Sequence, residues 1–182
     1  ALTNTLSPGD KVLMCETGQF AFLWAGMAAK LGLQADVIPT DWRIGADAAL
    51  IEQKLRADKK HEIKAVCVVH NETSTGLQNP VKEIAEAVRA VAPETLILVD
   101  AVSSLGGARI EMDAWGLDMV LTSSQKCLAL PPGLALGAVS DRAMEKAKSV
   151  ENRGWYFDLV RMEKHRLKDS SPATPAMSLI FA

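Results

Sequence analysis

Apolar runs alternate with amphipathic segments along the chain, and this pattern predicts strands separated by helices. The predicted strands are the runs rich in Val, Ile and Leu at residues 11–15, 35–39, 64–70, 96–100, 119–122 and 134–140. Most of these runs contain no alternating polar residues, which is typical of strands covered on both faces. We therefore expect helices on both sides of a buried sheet.

Three helices are predicted between these strands. The most regular one follows Asn79, an expected N-cap, and Pro80, an expected first helical residue. Its apolar positions are Val81, Ile84, Ala85, Val88 and Ala92. A second helix follows Asp47, and a third covers residues 20–31 and ends at Gly32. Because strands and helices alternate, we predict an α/β fold: a mostly parallel sheet sandwiched by helices, with ligands beyond the carboxyl ends of its strands.

Composition narrows the possible function classes. The 182 residues are 48% hydrophobic and 23% charged, which is typical of a globular domain or part of one. Because the chain has 20 basic and 22 acidic residues, it lacks the excess of positive charge that is usual in proteins that bind nucleic acids or anionic membranes. No apolar run of about 18 residues occurs, so we predict no membrane span. Cys15, Cys67 and Cys127 lack metal-ligand spacing, which predicts reduced, mostly buried thiols and no metal site.

Three terminal regions of the sequence, residues 1–6, 151–168 and 177–182, each predict a structural feature. Residues 1–6 are typical of the last turns of a helix, and the apolar run 177–182 stops without a cap, so we expect a fragment of a longer protein. The charged segment 151–168 carries Trp155, Tyr156 and Phe157. It predicts either a solvated helix with an aromatic anchor or a contact between subunits.

Chemistry-bearing residues follow three of the predicted strands. The hydroxyl-rich loop 70–76 suits either an ordinary turn and helix cap or a binding loop. Asp100 directly follows an apolar strand, where a carboxylate needs a cation or several donors, although a helix cap would also account for it. Lys126 lies between a hydrophobic strand and a proline-rich loop. It is either a solvated surface lysine or a semi-buried amine that loses its proton readily enough to attack a carbonyl carbon.

An acid and a lysine at neighbouring strand ends, with Ser, Thr and Gln donors nearby, suit pyridoxal 5'-phosphate. The aldehyde of this cofactor needs a lysine for its Schiff base. Its ring nitrogen needs a carboxylate in order to stay protonated and draw electrons. The sequence therefore predicts a pyridoxal phosphate site at this edge of the sheet.

Three motifs carry a family resemblance: HNETSTG at 70–76, VDAVSSLGG at 99–107, and SSQK at 123–126 with PPG at 131–133. In this order they resemble the class V, fold-type I aminotransferases, within them the serine–glyoxylate and alanine–glyoxylate group. The resemblance implies that residues 1–182 are an incomplete large domain of a pyridoxal phosphate-dependent transferase. Residues 151–182 would be a subunit-contact or connecting segment. The phosphate-loop segment and the small C-terminal domain would lie outside the chain.

The resemblance also implies roles around the cofactor ring. Lys126 would form the Schiff base, and Asp100 would pair with the pyridinium nitrogen. Val102 would pack against one face of the ring. Phe20 matches the position of an aromatic residue on the other face, although a plain core phenylalanine is the alternative.

Further cofactor contacts follow from the same resemblance. Thr73 matches a hydroxyl that contacts the cofactor near its phenolate oxygen. Gln125 matches a phosphate ligand, with Ser124 beside it. Thr174 lies in the segment through which the family draws phosphate contacts from the partner subunit, but the tyrosine of that segment is missing here.

The function implied is transamination between serine or alanine and glyoxylate or a related 2-oxo acid, by a homodimer in the cytoplasm, or in peroxisomes if the source is eukaryotic. Serine is favoured by the stretches 17–20 and 174–175. The alternatives are a phosphoserine aminotransferase, a cysteine desulfurase-like enzyme, and a catalytically inactive fragment or oligomerisation module. A thiol enzyme built on Cys127 would lack an obvious histidine base.

Overall fold

A computed structural model describes residues 1–181 of the chain. The strands are β1 (Lys11–Glu16), β2 (Gln34–Pro39), β3 (Ile63–Val69), β4 (Asn71–Glu72), β5 (Leu77–Gln78), β6 (Leu96–Asp100), β7 (Met119–Ser123) and β8 (Ala135–Val139). The helices are α1 (Leu2–Thr5), α2 (Gln19–Lys30), α3 (Ala48–Ala57), α4 (Val81–Val91), α5 (Asp141–Ser149), α6 (Leu159–Arg166) and α7 (Met177–Ile180). The last residue of the apolar run 177–182 lies outside the described residues.

The six longer strands form one sheet in the order β2-β1-β3-β6-β7-β8. All neighbouring pairs are parallel except β7 and β8, which are antiparallel. The short strands β4 and β5 form a separate antiparallel hairpin directly after β3. The prediction of a mostly parallel α/β sheet is therefore confirmed, and all six predicted strands are present.

Two apolar layers cover the centre of the sheet. On strand β6, Ile97 and Val99 point into the layer formed with α3 and α4, whereas Leu98 points into the layer formed with α1 and α2. These three side chains are fully buried, which explains the apolar character of the run. The expectation of strands covered on both faces is wrong for β8, because four of its five residues are exposed.

Helix starts follow the predicted chemistry at α3 but not at α4. The Asp47 carboxylate caps α3 by accepting a hydrogen bond from the Ala49 N–H at 2.8 Å, as predicted. Asn79 is not the N-cap of α4, because Pro80 occupies the cap position. The buried Asn79 amide instead accepts from the Ala46 N–H at 2.8 Å and donates to the Val69 carbonyl at 2.7 Å. The side chain thus holds two distant segments together.

The charged segment 151–168 is helical only in its second half, as α6. Asp158 begins this helix by accepting hydrogen bonds from the N–H groups of Val160 and Arg161. Consequently the exposed aromatic residues 155–157 lie in the preceding loop and not within a helix as one alternative predicted. The Arg161 guanidinium lies 3.8 Å above the centre of the Trp155 ring.

A buried acid ties β7 to its neighbours at the start of that strand. Asp118 is fully buried, and its carboxylate accepts the Ile97 N–H at 2.8 Å and the Ser140 hydroxyl at 3.0 Å. It also pairs with the guanidinium groups of Arg89 at 2.5 Å and Arg142 at 3.3 Å. Both oxygens are therefore satisfied by charged and neutral donors.

Within residues 1–181, no helix is both long enough and apolar enough to cross a membrane.

Candidate active site

The carboxyl ends of β3, β6 and β7 lie side by side at one edge of the sheet. Asp100 is paired with Val69 on one neighbouring strand and with Leu121 on the other. The Ala101 N–H donates to the Leu121 carbonyl at 2.8 Å just beyond the strand end. The three loops singled out from the sequence therefore leave the sheet next to one another.

Asp100 is a half-buried carboxylate without a cationic partner. Burial raises the pKa of its carboxyl group, and the negative charge of Glu72 adds to that rise. The hydrogen bond that Oδ1 accepts from the Val102 N–H at 2.9 Å offsets only part of it. None of the ion pairs among residues 1–181 includes Asp100. The position therefore suits a cationic or N–H-bearing ligand.

Lys126 is exposed, so the structure agrees with the first alternative, a solvated surface lysine, and the second, a semi-buried amine, is wrong for the described chain. The proline-rich loop that was expected to cover it folds back instead onto Ser124. The Ser124 hydroxyl donates to the Pro131 carbonyl at 2.7 Å, and the Leu130 N–H donates to the Ser124 carbonyl at 3.0 Å. The Lys126 amine consequently remains free to reach a ligand at the strand ends.

The polar residues beside Lys126 differ in whether their side chains are free to contact a ligand. Ser124 is buried, and its hydroxyl is engaged within the loop by Pro131 and by the Leu134 N–H. Gln125 is exposed. Ser123 was not predicted as a site residue, yet its Oγ is the one buried side-chain N or O atom without a hydrogen-bond partner among residues 1–181. An unpartnered hydroxyl at the end of β7 is compatible with a ligand that supplies the missing hydrogen bond.

Glu72, which is not among the site residues predicted from the sequence, is fully buried between the start of α2 and its own loop. Its carboxylate accepts hydrogen bonds from the backbone N–H of Phe20 at 3.2 Å, from that of Ala21 at 3.1 Å and from the Ser74 hydroxyl at 2.8 Å. Thr73, the neighbouring candidate, is exposed. The sequence signal for this role was the acidic residue in the HNETSTG motif, because a carboxylate can accept hydrogen bonds from the free N–H groups at the start of a helix.

Phe20 is 41% exposed, which excludes the plain core phenylalanine. It lies in the first turn of α2, directly beside the Glu72 carboxylate. Val102 is half-buried, and its carbonyl accepts the Thr122 hydroxyl at 3.3 Å. Thr174 is exposed, and no hydrogen bond of the described chain links its side chain to the strand-end loops.

Side chains connect the three loops in series. The Asn71 amide donates to Ser103 Oγ at 2.9 Å, and the Ser103 hydroxyl donates to the Asn71 carbonyl at 2.9 Å. The exposed Cys127 thiol donates to the Ser103 carbonyl at 3.3 Å. A Cβ at Gly107 would lie 2.7 Å from Cys127 Sγ, so this close approach requires glycine. The loop of Lys126 is thus fastened to the loop of Val102.

His70 is buried at the root of the first loop. Its Nδ1 lies 2.9 Å from Ser104 Oγ, and burial lowers the pKa of the imidazole. His70 is therefore engaged with Ser104, and no hydrogen bond joins it to Cys127 among residues 1–181. The arrangement gives no support to a thiol enzyme built on Cys127.

We expect His70 to make stability depend on pH. A neutral buried imidazole resists protonation, whereas the unfolded chain takes up a proton below about pH 6.5, so the unfolded state binds more protons in that window. The free energy of unfolding should fall as the pH drops below about 6.5, by at most about 1.4 kcal/mol per pH unit. Urea unfolding at several pH values measures this slope. His70→Gln should flatten it, whereas His61→Gln, at an exposed site, should not; equal slopes in all three proteins would contradict the assignment.

A family comparison decides the class of protein. The family model described as Aminotransferase class-V matches residues 1–176. The chain belongs to the class-V aminotransferase family. This confirms the resemblance inferred from the motifs at 70–76, 99–107 and 123–133.

Similar proteins carry related names. A serine–glyoxylate aminotransferase from Arabidopsis thaliana is 40% identical over 100% of this chain and 45% of its own length. An L-aspartate–glyoxylate aminotransferase from Paracoccus denitrificans is 41% identical over 99% of this chain and 46% of its own length. The crystal structure of an alanine–glyoxylate aminotransferase from Nostoc sp. superposes with a TM-score of 0.88 at 32% identity, covering 98% of this chain and 47% of that one. This class-V chain thus spans about half the length of the relatives it matches.

Proposed function

We propose that the full-length protein containing this chain is a pyridoxal phosphate-dependent aminotransferase. The observation that carries the proposal is the half-buried Asp100 carboxylate, which has no cation among residues 1–181 and lies one strand away from the loop of Lys126. The orphaned Ser123 hydroxyl at the same strand end also suits a ligand with polar groups. The family supports the reaction class.

The residues present fit the cofactor. Lys126 would hold its aldehyde carbon, and Asp100 would pair with the protonated ring nitrogen. Val102 and Phe20 would cover the two faces of the ring. The polar contacts would come from Thr73 and Gln125, with Ser124 shaping the loop and Thr174 reaching the phosphate of the partner subunit's site. When bound, pyridoxal phosphate supplies an electron-withdrawing ring that stabilises negative charge at the α carbon of an amino acid.

Two groups of this chain would handle protons. The Lys126 amine is exposed, so its side chain could move from the cofactor to the substrate. Its Nζ atom would then accept the proton that leaves the α carbon of the substrate. The Asp100 carboxylate keeps the ring nitrogen protonated, and in return that cation relieves the unfavourable burial of its own charge. The acid therefore holds a proton in place while the lysine moves one.

We propose glyoxylate as the amino acceptor and a small amino acid, serine before alanine, as the donor. The two sequence relatives are named for glyoxylate transamination, and they differ in the donor. Identities of about 40% to these proteins favour this reaction over those of a phosphoserine aminotransferase or a cysteine desulfurase.

We also propose a homodimer. Helix α2 is apolar on nearly all sides, and its exposed large side chains include Phe22, Leu23 and Met27. A helix that is apolar all round normally has both faces covered. A second copy of the chain is the partner that the family suggests. The mass of the full-length protein in solution tests this, and a monomer with full activity would contradict it.

Reductive trapping tests the cofactor proposal. The full-length protein is incubated with pyridoxal phosphate, reduced with borohydride, digested and analysed by mass spectrometry. We expect one phosphopyridoxyl group, on the peptide that contains Lys126, because reduction makes the link between amine and aldehyde permanent. Lys64→Ala, at another exposed lysine near the amino end of β3, away from the candidate site, should label as the wild type does. A label on other lysines only, or none, would overturn the proposal.

A further inference from the structure

Glu72 occupies an unusual position for an acidic residue, because it is fully buried and forms no ion pair within the described chain. Its two oxygens are surrounded by donors of α2 and of its own loop. Oε2 accepts the N–H groups of Phe20 at 3.2 Å and Ala21 at 3.1 Å, and Oε1 accepts the Ser74 hydroxyl at 2.8 Å. Backbone dipoles and a hydroxyl thus stabilise the charge in place of a cation.

The same cluster closes the first turn of α2. The Gln19 N–H donates to Ser74 Oγ at 3.0 Å, so the free N–H groups of three successive residues, Gln19 to Ala21, end on Ser74 or Glu72. No side chain of the turn itself caps the helix, since the residue before it is Gly18. The cap is supplied by a loop that lies about 50 residues further along the sequence, as the separations of 51 and 52 residues show.

Gly18 makes this approach possible. A Cβ at that position would lie 2.3 Å from Glu72 Cγ and 2.7 Å from Ser74 Oγ, distances that no side chain tolerates. The helix start and the loop are therefore in direct contact, without room for adjustment. The Phe20 N–H contacts the buried Glu72 carboxylate, and Thr73 is the next residue after Glu72 in the chain.

We propose that Glu72 is a positioning residue of the cofactor site, which fixes the Phe20 ring and the Thr73 hydroxyl relative to each other. The inference rests on the proposed function, because Phe20 and Thr73 matter only if pyridoxal phosphate binds between the loops. Glu72 itself touches neither cofactor nor substrate in this assignment. Its carboxylate joins the backbone N–H groups at the start of α2, which carries Phe20, to the Ser74 hydroxyl of the loop that carries Thr73, and this requires an acceptor at each oxygen.

The test uses Glu72→Gln in the full-length protein. Glutamine has nearly the same shape, but its NH₂ group accepts no hydrogen bond, so the side chain can serve either the N–H groups of α2 or the donors of Ser74 and part of the cap is lost. We expect the dissociation constant of pyridoxal phosphate, measured by absorbance titration, to rise about tenfold or more. In the cofactor-free protein, the amides of Phe20 and Ala21 should exchange with deuterium faster than in the wild type.

Asp47→Ala is the matched control, because it also removes a carboxylate cap: the Asp47 side chain caps α3 by accepting a hydrogen bond from the Ala49 N–H. We expect it to lower the unfolding temperature and to leave the cofactor's dissociation constant unchanged. Glu72→Asp keeps the charge but shortens the side chain, and it should fall between glutamine and the wild type.

The outcomes separate the two proposals. If the wild type binds no pyridoxal phosphate, the proposed function fails. If the wild type binds it and Glu72→Gln binds it equally well, the positioning role is wrong, whatever happens to stability. Equal weakening of binding by Glu72→Gln and Asp47→Ala would also overturn the role, because it would show a general effect of losing a helix cap.

Discussion

Replacing Asp100 by asparagine should abolish most of the activity of the full-length protein while it stabilises the cofactor-free fold. Asparagine keeps an oxygen that can accept the Val102 N–H, so the local turn remains. It lacks the charge that would hold the cofactor's ring nitrogen protonated, and the loss of such fixed electrostatic stabilisation lowers kcat by about 10²–10³-fold. The same charge is unfavourable in the empty site, where burial and Glu72 raise the pKa of the Asp100 carboxyl.

The stability gain has a definite pH dependence. Because the folded-state pKa of Asp100 lies above its unfolded value, the folded state holds the proton more tightly, and stability is lost as the pH rises through the folded pKa. The asparagine variant avoids this loss. Its advantage in unfolding temperature over the wild type should therefore be present at neutral pH and disappear toward about pH 4. A variant that is less stable than the wild type at neutral pH would contradict the burial argument, and one with unchanged kcat would remove Asp100 from the site.

The second large effect is expected at Asp118. Asp118→Ala leaves the guanidinium groups of Arg89 and Arg142 without their shared carboxylate, and it leaves the Ile97 N–H and the Ser140 hydroxyl unpaired. Breaking a buried ion pair from one side costs about 3–5 kcal/mol of the free energy of unfolding. Urea unfolding of the full-length protein measures this loss.

Asp113→Ala provides the comparison, because Asp113 is exposed and lies only five positions away in the sequence. We expect a change within about 0.5 kcal/mol for this variant. A similar small change for Asp118→Ala would mean that the buried network contributes little. Loss of cofactor binding without loss of stability would be equally unexpected, since Asp118 directly precedes β7 and the candidate site lies at the other end of that strand.

The two acids show what could be predicted from the sequence. Asp100 ends one apolar strand run and Asp118 precedes another; the position of Asp100 at a carboxyl end predicts that it lies near the loop of Lys126, and the pairing of β6 with β7 agrees. The pattern does not reveal that Asp118 meets two arginines, because Arg89 and Arg142 lie 29 and 24 positions away, on different helices or at their ends. The positions of strands along the chain follow from local periodicity, whereas ion pairing depends on the finished fold.

The same limit explains the residues that the sequence argument missed. Glu72 lies in a loop for which the sequence allows either a turn or a binding loop, and Asn79 is predicted as a helix cap, but their partners include residues 17–21 and 46, far away in the sequence. Helix α5 was missed because its buried positions are only the small residues Ala143 and Ala147, which give a weak apolar pattern. The sequence left the exposure of Lys126 open, because a proline-rich loop can fold either over a neighbour or away from it.

Strand β8 has a consequence for handling this 182-residue chain by itself. It carries no charge and no proline, and among residues 1–181 nothing pairs with its outer edge. Such an edge offers unused backbone donors and acceptors to any extended segment, which favours edge-to-edge polymerisation into fibrous precipitate. Replacing Leu136, which is already 45% exposed, by lysine would place a charge on this strand and reduce such aggregation.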